Sequence, residues 1–136
     1  MSTNSRVVLF ALIKDNAVLV EKRPVKGFTK LQYLIPGGTI NAGESLEDAL
    51  KREMMEELGL IPLKFELLTN EDIVGLFNNL LKPFIVRKWQ GEIPEVILDK
   101  EDPYPLEWLD LERALKLSPD PTIKIFEVIK AHLNKV

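Results

Sequence analysis

Residues 38–60 read GTINAGESLEDALKREMMEELGL, and this stretch decides how the rest of the chain is interpreted. Ser45 is a typical N-cap residue, and Asp48 three positions later completes the pattern of a capping box. Gly59 favours the left-handed backbone conformation that ends a helix. The sequence therefore predicts a helix that opens at Ser45 and runs to Leu58.

The predicted helix carries three glutamates near its apolar side. At about 100° per residue, Glu53 and Glu57 fall along the edge of the apolar face, and Glu56 lies farther round. Like charges at these spacings repel each other by about 0.2–0.5 kcal/mol per pair on an exposed helix, and by more where water is scarce. Mg²⁺, a hard ion with oxygen ligands, would relieve this repulsion and usually also binds substrate phosphate. The pattern thus favours a metal site, with a merely solvated acidic face as the alternative.

The same stretch resembles the signature of the Nudix hydrolase family, G-x5-E-x7-R-E-U-x-E-E-x-G-U, in which U is an aliphatic residue. Every fixed position matches: Gly38, Glu44, Arg52, Glu53, Met54, Glu56, Glu57, Gly59 and Leu60. From average residue frequencies, a chance match in a chain of this length has a probability on the order of 10⁻⁷. Pro36-Gly37 and the later Glu107-Trp108-Leu109 also look like that family, so the resemblance spans most of the chain.

The resemblance implies a fold and a chemistry. Nudix hydrolases are α/β proteins, mixed-sheet α/β/α sandwiches, and residues 1–136 are expected to form one such domain. They hydrolyse nucleoside diphosphates linked to another moiety, with Mg²⁺ or Mn²⁺. By this likeness Glu56 and Glu57 are the main metal ligands, and Glu53 is a further ligand or the base that orients water. The backbone carbonyl of Gly37 is another ligand.

The resemblance also implies supporting roles around these glutamates. Arg52 would hold them in register through charge-assisted hydrogen bonds, and Glu44 would brace the preceding loop. Gly38 permits a tight backbone approach that a side chain would block. Arg23 is similar to a basic position that contacts phosphates in MutT-like members; a plain surface charge is the alternative.

Two further kinds of residue are candidates for the site. Many family members add an acidic residue from a loop before a late tryptophan, and Asp102, with Glu101 beside it, occupies that place; a solvated acidic turn is the alternative. Phe28, Tyr33 and Phe77 are candidates for stacking on a base, although aromatic residues in strands usually belong to the core.

Outside the helix, hydrophobic patterning predicts six strands and two more helices. The strands are Val7–Ile13, Ala17–Val20, Tyr33–Ile35, Leu63–Leu68, Ile73–Phe77 and Leu80–Trp89. The helices run from an Asp110 cap to Leu117, and from Thr122 to Leu133 after Asp120-Pro121. Pro36-Gly37-Gly38 is expected to break the chain, residues 22–32 to form a loop, residues 90–105 to be partly loop, and Pro83 to mark an edge or a bulge. Strands around one helix and before two others predict a mixed-sheet sandwich.

Composition limits the possible functions. The formal net charge is −3, so no broad positive field attracts polymeric DNA or RNA. The chain has no cysteine, which removes thiolate nucleophiles and excludes isoprenoid isomerases of the same fold, and its one histidine cannot assemble a histidine metal site. The apolar run Val7–Ile13 is too short to span a membrane, and no signal peptide is recognisable. A cytoplasmic protein without a membrane partner is expected.

The predicted function is Mg²⁺-dependent hydrolysis of a phosphoanhydride bond in a small nucleotide. The short chain resembles compact MutT-like pyrophosphohydrolases, which convert a nucleoside triphosphate, ordinary or oxidised, to a monophosphate and pyrophosphate. Dinucleoside polyphosphate or nucleotide-sugar hydrolysis, a non-catalytic nucleotide-sensing module and a plain divalent-ion binder are alternatives. Sensing modules commonly lose signature glutamates, all of which are present here, and this favours an enzyme. The protein is expected to act as a monomer or homodimer.

Overall fold

The computed structural model describes residues 5–101, 103–118 and 122–134. The elements in these ranges are β1 (Arg6–Lys14), β2 (Ala17–Arg23), β3 (Gln32–Leu34), β4 (Gly37–Thr39), α1 (Leu46–Leu58), β5 (Ile61–Leu67), β6 (Ile73–Val74), β7 (Leu80–Gln90), β8 (Leu106–Asp110), α2 (Leu111–Leu117) and α3 (Thr122–Leu133). The strands form one sheet in the order β3-β2-β1-β7-β5, to which β4, β6 and β8 are added at β1, β7 and β2. Since β1 pairs parallel with β7 and antiparallel with β2, the sheet is mixed.

β1 lies at the centre of the sheet, and its side chains alternate between two buried faces. One core cluster contains Val8, Phe10 and Leu12 with apolar residues of α1, and the other contains Leu9, Ala11 and Ile13 with apolar residues of α2 and α3. The sheet is therefore covered by α1 on one face and by α2 and α3 on the other. This confirms the α/β/α sandwich with a mixed sheet.

α1 begins and ends where the sequence predicts. The Ser45 hydroxyl accepts a hydrogen bond from the Asp48 N–H at 3.1 Å, and Gly59 has a φ of 68°. The N–H of Leu60 then donates to the carbonyl of Met54 at 3.4 Å, which returns the chain across the last turn. Both ends are fixed by local hydrogen bonds, so the glutamates in the last two turns have a defined orientation toward the sheet.

Two short strands were not predicted. The expected break at Pro36-Gly37-Gly38 is wrong, because Gly37–Thr39 pairs with β1 as β4. A Cβ at Gly37 would overlap the Val8 carbonyl oxygen, so this close pairing needs glycine. β8 follows a proline-rich stretch, which favours a loop in a prediction from sequence. It pairs antiparallel with β2, with Trp108 opposite Leu19.

The prediction for Pro83 is also wrong. Pro83 lies inside β7, opposite Leu9 of β1, and the register shifts of the sheet occur in β5 instead. Its carbonyl accepts a hydrogen bond from the N–H of Leu68 at 2.8 Å, just beyond the last residue of β5. Proline has no backbone N–H to donate. β7 tolerates a proline at position 83 because its partner strand changes there from β5 to β6. The predicted strand Ile73–Phe77 is shorter than expected. Only Ile73–Val74 pairs with β7, and the chain turns after Val74.

The boundaries of β2 and α3 bear on the site. β2 continues beyond the predicted Val20 to Arg23, which shortens the expected 22–32 loop and places Arg23 on a strand. The C-terminal helix is confirmed as α3, with Ile125 and Ile129 buried, whereas the predicted cap at Asp120-Pro121 lies outside the described residues. In the described part of the chain, no helix has the length and apolar character needed to cross a membrane.

Candidate active site

Arg52 connects the loop before α1 to the glutamates on the helix. Its Nε donates to Glu44 Oε2 at 2.8 Å, and its Nη2 donates to Glu44 Oε1 and to the Thr39 carbonyl, both at 2.9 Å. Its Nη1 lies 3.2 Å from Glu56 Oε2 and 3.4 Å from Glu53 Oε1. One guanidinium therefore ties β4, the loop and two turns of α1 together.

Glu44 supports this arrangement from the loop side. Glu44 Oε1 also accepts a hydrogen bond from the Asn41 N–H at 3.0 Å, which closes the loop between β4 and α1. The hydrogen bond from Arg52, followed by the one from Asn41, lowers the pKa of Glu44 to about 2. Glu44 is consequently ionised at any pH at which the protein is expected to work.

Glu53 and Glu57 are buried, whereas Glu56 is exposed. Burial, followed by the neighbouring Glu56, raises the pKa of Glu53 to about 7 despite the nearby Arg52. Burial also raises the pKa of Glu57, and the ammonium group of Lys100, 3.5 Å from Glu57 Oε1, opposes this. Two carboxyl groups are thus held where the protein alone stabilises their charge poorly.

The donor set fits a hard divalent cation. Glu57 Oε2 is buried and has no hydrogen-bond partner among the described residues. Gly38 lies against the Glu53 carboxylate so closely that a Cβ there would overlap it, which leaves space only for a bare backbone beside the carboxylates. Within the described ranges no three Asp, Glu, His or Cys side chains converge as a ligand set; Arg52 contacts Glu53, and Lys100 contacts Glu57. The carboxylates of the site supply oxygen, the preferred ligand of Mg²⁺.

The raised pKa of Glu53 predicts a pH-dependent stability in the absence of metal. Below the ordinary value of 4.5 the group is protonated in both the folded and the unfolded state, and its stabilising contribution is lost as the pH rises through about 7. We expect the free energy of unfolding in EDTA to fall by about 2 kcal/mol between pH 5 and pH 8. Urea denaturation of wild type and Glu53→Gln measures this, and the variant should lose most of the slope. Glu47→Gln, on the exposed first turn, is the control; equal slopes in wild type and Glu53→Gln would contradict the assignment.

A cavity of about 200 Å³ opens beside Gly37 and Gly38. Its apolar wall comes from β1, β7, the end of β3 and α3: Val7, Leu9, Leu34, Ile35, Leu81 and Ile125. Its polar lining includes Glu21, Arg23, Asn79 and Thr122. Pockets that enclose a whole drug-sized ligand usually measure roughly 300–1,000 Å³, so this cavity accepts one part of a nucleotide rather than all of it.

Arg23 is fixed at the mouth of this cavity by three neighbours. Its Nη1 lies 3.2 Å from Glu21 Oε1, and its guanidinium carbon lies 5.2 Å from the ring centre of Phe77 and 4.7 Å from that of Tyr104. Arg23 Nε is buried and unpaired within the described ranges. The guanidinium thus contacts two aromatic rings and one carboxylate, and its buried Nε–H has no partner in the described ranges.

The structure brings together most of the residues singled out from the sequence. Gly37, Gly38, Arg23 and Phe77 line one cavity next to the glutamates of α1. Phe28, by contrast, is 37% exposed on the loop after β2 and is not part of the cavity lining. Tyr33 packs against the core and lies beneath the Lys22 ammonium group, as its core alternative predicts.

Two acidic candidates lie before β8. Asp102 lies outside the described residues, and Glu101 beside it is exposed. For Asp102 the structure therefore adds nothing to the sequence-based prediction.

Several residues of the site were missed by the sequence analysis. Glu21 had a recognisable signal, since an acid two residues before Arg23 on a buried strand shares its side of the strand. Tyr104, Lys100 and Thr122 carried none, because their positions depend on how distant segments meet. Lys100 reaches Glu57 because the N–H of Leu98 donates to the Glu57 carbonyl at 2.8 Å and anchors the 91–105 segment to α1.

Comparison with known proteins agrees with this geometry. The NUDIX domain family matches residues 3–128. A Buchnera aphidicola protein named 8-oxo-dGTP diphosphatase is 30% identical over 91 residues, which cover 65% of this chain and 68% of that protein. A Methanocaldococcus jannaschii protein named ADP-ribose pyrophosphatase is 46% identical over 52 residues, which cover 36% of this chain and 28% of that protein. The solution structure of the E. coli ORF135 protein shares the fold, with a TM-score of 0.76 at 23% identity over 96% of this chain and 91% of that one.

The fold and the site together define a class of enzyme. Carboxylates gathered on a helix beside a small, partly enclosed cavity are suited to metal-assisted reaction at a phosphate group. The chain belongs to the Nudix family and is a phosphoanhydride hydrolase. Members of this family generally use divalent metal ions.

Proposed function

We propose that the chain hydrolyses a nucleoside triphosphate, ordinary or oxidised, to a nucleoside monophosphate and pyrophosphate, with Mg²⁺ as its metal and Mn²⁺ as a substitute. The observation that carries the proposal is the buried, unpaired Oε2 of Glu57 on a helix whose Glu53 carboxylate lies against Gly38, a residue of a cavity sized for one part of a nucleotide. The Buchnera relative, named 8-oxo-dGTP diphosphatase, supports a triphosphate substrate.

In this proposal the metal is held by Glu56, Glu57 and the carbonyl of Gly37, and Glu53 is either a further ligand or the base that orients water. When bound, the ion supplies charge neutralisation for the phosphates and acidity for a water molecule. Glu53 is the residue best suited to hold a proton near neutral pH, because burial raises its pKa to about 7. Asp102 is the second candidate for the base.

Arg52 and Glu44 are positioning residues in this proposal. Two charge-assisted hydrogen bonds, at 2.8 and 2.9 Å, join their side chains, and Arg52 also holds the Thr39 carbonyl. This network keeps β4 and α1 at a fixed separation, so the glycines and the glutamates face the same small volume. Supporting groups of this kind typically change metal affinity or activity by about 10- to 100-fold.

The substrate is proposed to reach across the cavity mouth. Arg23 lines the cavity, and its guanidinium, which contacts the rings of Phe77 and Tyr104, is placed to donate to a phosphate oxygen. Phe77 lines the cavity and is 54% exposed, so its ring is available to stack on a base that enters the cavity. Gly38, which lines the cavity, leaves room for the Glu53 carboxylate against its backbone. Phe28, outside the cavity, has no role in this proposal.

A nucleoside diphosphate linked to a sugar is the second candidate substrate. It is favoured by the Methanocaldococcus relative, named ADP-ribose pyrophosphatase, whose 52 matched residues are 46% identical to this chain. That match spans under a third of the relative's length, so it indicates less about the part of the site that recognises the substrate.

Hydrolysis assays on a nucleotide panel test the proposal. The panel contains the common nucleoside triphosphates, 8-oxo-dGTP, ADP-ribose and a dinucleoside tetraphosphate, each with Mg²⁺ or with EDTA. We expect turnover of a triphosphate to the monophosphate and pyrophosphate, detected by chromatography, and its loss in EDTA. Preferential cleavage of ADP-ribose would select the second candidate. Tight Mg²⁺ or nucleotide binding without turnover of any substrate would show that the chain is a binding module.

A further inference from the structure

Two buried polar side chains of the cavity lie outside the glutamate helix α1. Among the side chains that the structure describes, the buried polar or charged ones are Glu21, Glu53, Glu57 and Thr122. Glu21 and Thr122 are each only 9% exposed, and both line the cavity. Burying a polar group without full hydrogen bonding destabilises the folded protein, so both positions require an explanation.

The protein itself satisfies these two groups only in part. Thr122 Oγ1 is buried and has no hydrogen-bond partner in the described ranges. Glu21 Oε1 accepts one hydrogen bond, from Arg23 Nη1 at 3.2 Å. Asn79 Oδ1, which lines the same cavity, is likewise buried and unpaired there. Three oxygen-bearing side chains from β2, α3 and the turn before β7 thus share one small space that is otherwise apolar.

A planar heterocycle matches this lining. Its faces contact the aliphatic wall, while its edge presents the N–H and C=O groups that the buried oxygens lack. A sugar would need polar partners on all sides, which a wall of valine, leucine and isoleucine does not supply. The phosphates, being negative, belong with Arg23 and the metal rather than beside the Glu21 carboxylate.

We propose that Glu21 and Thr122 are specificity-determining residues that bind the edge of the nucleobase, with Asn79 as their third member. This rests on the proposed function, because it assumes a nucleotide substrate. Burial raises the pKa of Glu21, and the hydrogen bond from Arg23 opposes this; in its ionised form Glu21 accepts hydrogen bonds and donates none. Glu21 therefore favours a base that presents an amino group to it over the same base carrying an oxygen at that position.

Matched substrate pairs test the role of Glu21. ATP and ITP, CTP and UTP, and GTP and XTP differ at one edge position by amino against oxo. We expect wild type to prefer the amino member of the pair that fits by about tenfold in kcat/KM. Glu21→Gln, whose amide also donates, should reduce or reverse that preference. Unchanged ratios in all three pairs would overturn the proposal, as would an equal loss of kcat on every substrate with weaker Mg²⁺ binding, which would place Glu21 at the metal.

A binding measurement separates this inference from the proposed function. The affinities of AMP, IMP, CMP, UMP, GMP and XMP for the metal-free protein are measured by calorimetry in EDTA. Thr122→Val keeps the shape of the side chain and should weaken binding of the preferred monophosphate by about tenfold. Thr29→Val, on an exposed loop, is the control. If the protein shows a base preference that depends on Glu21 and Thr122 but hydrolyses no nucleotide, only the proposed function is contradicted. If the protein hydrolyses nucleotides and neither variant changes the base preference, only the proposed role of Glu21 and Thr122 is contradicted.

Discussion

Glu57→Gln is expected to lower kcat by about 10²-fold or more while leaving the fold intact. The substitution keeps the shape of the side chain but removes the charge from the buried Oε2, the oxygen that has no partner in the described part of the chain. Because burial raises the pKa of Glu57, its charge is costly in the metal-free protein. The variant should therefore unfold at the same or a higher temperature in EDTA than wild type does.

The two readouts together make this prediction specific. Steady-state hydrolysis gives kcat, and thermal unfolding followed by circular dichroism gives Tm with and without Mg²⁺. We expect Mg²⁺ to raise the Tm of wild type and to have little effect on Glu57→Gln. Glu47→Gln, on the exposed first turn of α1, serves as the control and should behave like wild type. Full activity in Glu57→Gln would remove this glutamate from the proposed metal site.

Gly38→Ala is expected to have a comparable effect on activity through a single methyl group. The added Cβ would overlap the carboxylate of Glu53, so that side chain must leave its present position. The carboxylate is the end of a flexible side chain, hence stability should change little. A misplacement of about 1 Å among reacting groups can cost about 10²-fold in rate, and we expect a loss of that order in kcat.

A second glycine provides the comparison for this variant. Gly27 has a φ of 95° and no other part of the described chain within 4 Å of its would-be Cβ, so Gly27→Ala introduces backbone strain without a clash. Hydrolysis and calorimetric Mg²⁺ titration are measured for both variants. Gly38→Ala should lose Mg²⁺ affinity as well as turnover, whereas Gly27→Ala should keep both. Normal Mg²⁺ binding by Gly38→Ala would show that Glu53 need not occupy its present position.

The helix and its glutamates could be predicted because the information is local. Ser45 and Gly59 fix the ends of α1 through hydrogen bonds to neighbouring residues, and the 3.6-residue period then sets the direction of each glutamate. The expectation that Glu53 and Glu57 lie at the edge of the apolar face agrees with their burial, as does the exposure of Glu56. No long-range contact was needed for this part of the site.

The strands were predicted less well, for a physical reason. β4 and β8 are short and contain glycine or charged residues, so their own sequences favour strand weakly. Each exists because a longer strand supplies its hydrogen bonds: β1 for β4 and β2 for β8. The expectation that Pro83 marks an edge or a bulge was wrong for a similar reason. Whether a strand tolerates proline at that position depends on where β5 ends, and not on the residues next to Pro83.

The amino-acid sequence by itself determined the sandwich class, the capped helix and the spacing that presents three acids and one arginine along it. Only the tertiary structure decided which residues form the cavity, because Glu21, Asn79, Tyr104 and Thr122 come from segments far apart in the chain. The difference follows from the range of the interactions: helix capping and periodicity act over a few residues, whereas burial and the loss of hydrogen-bond partners arise only when distant elements pack together.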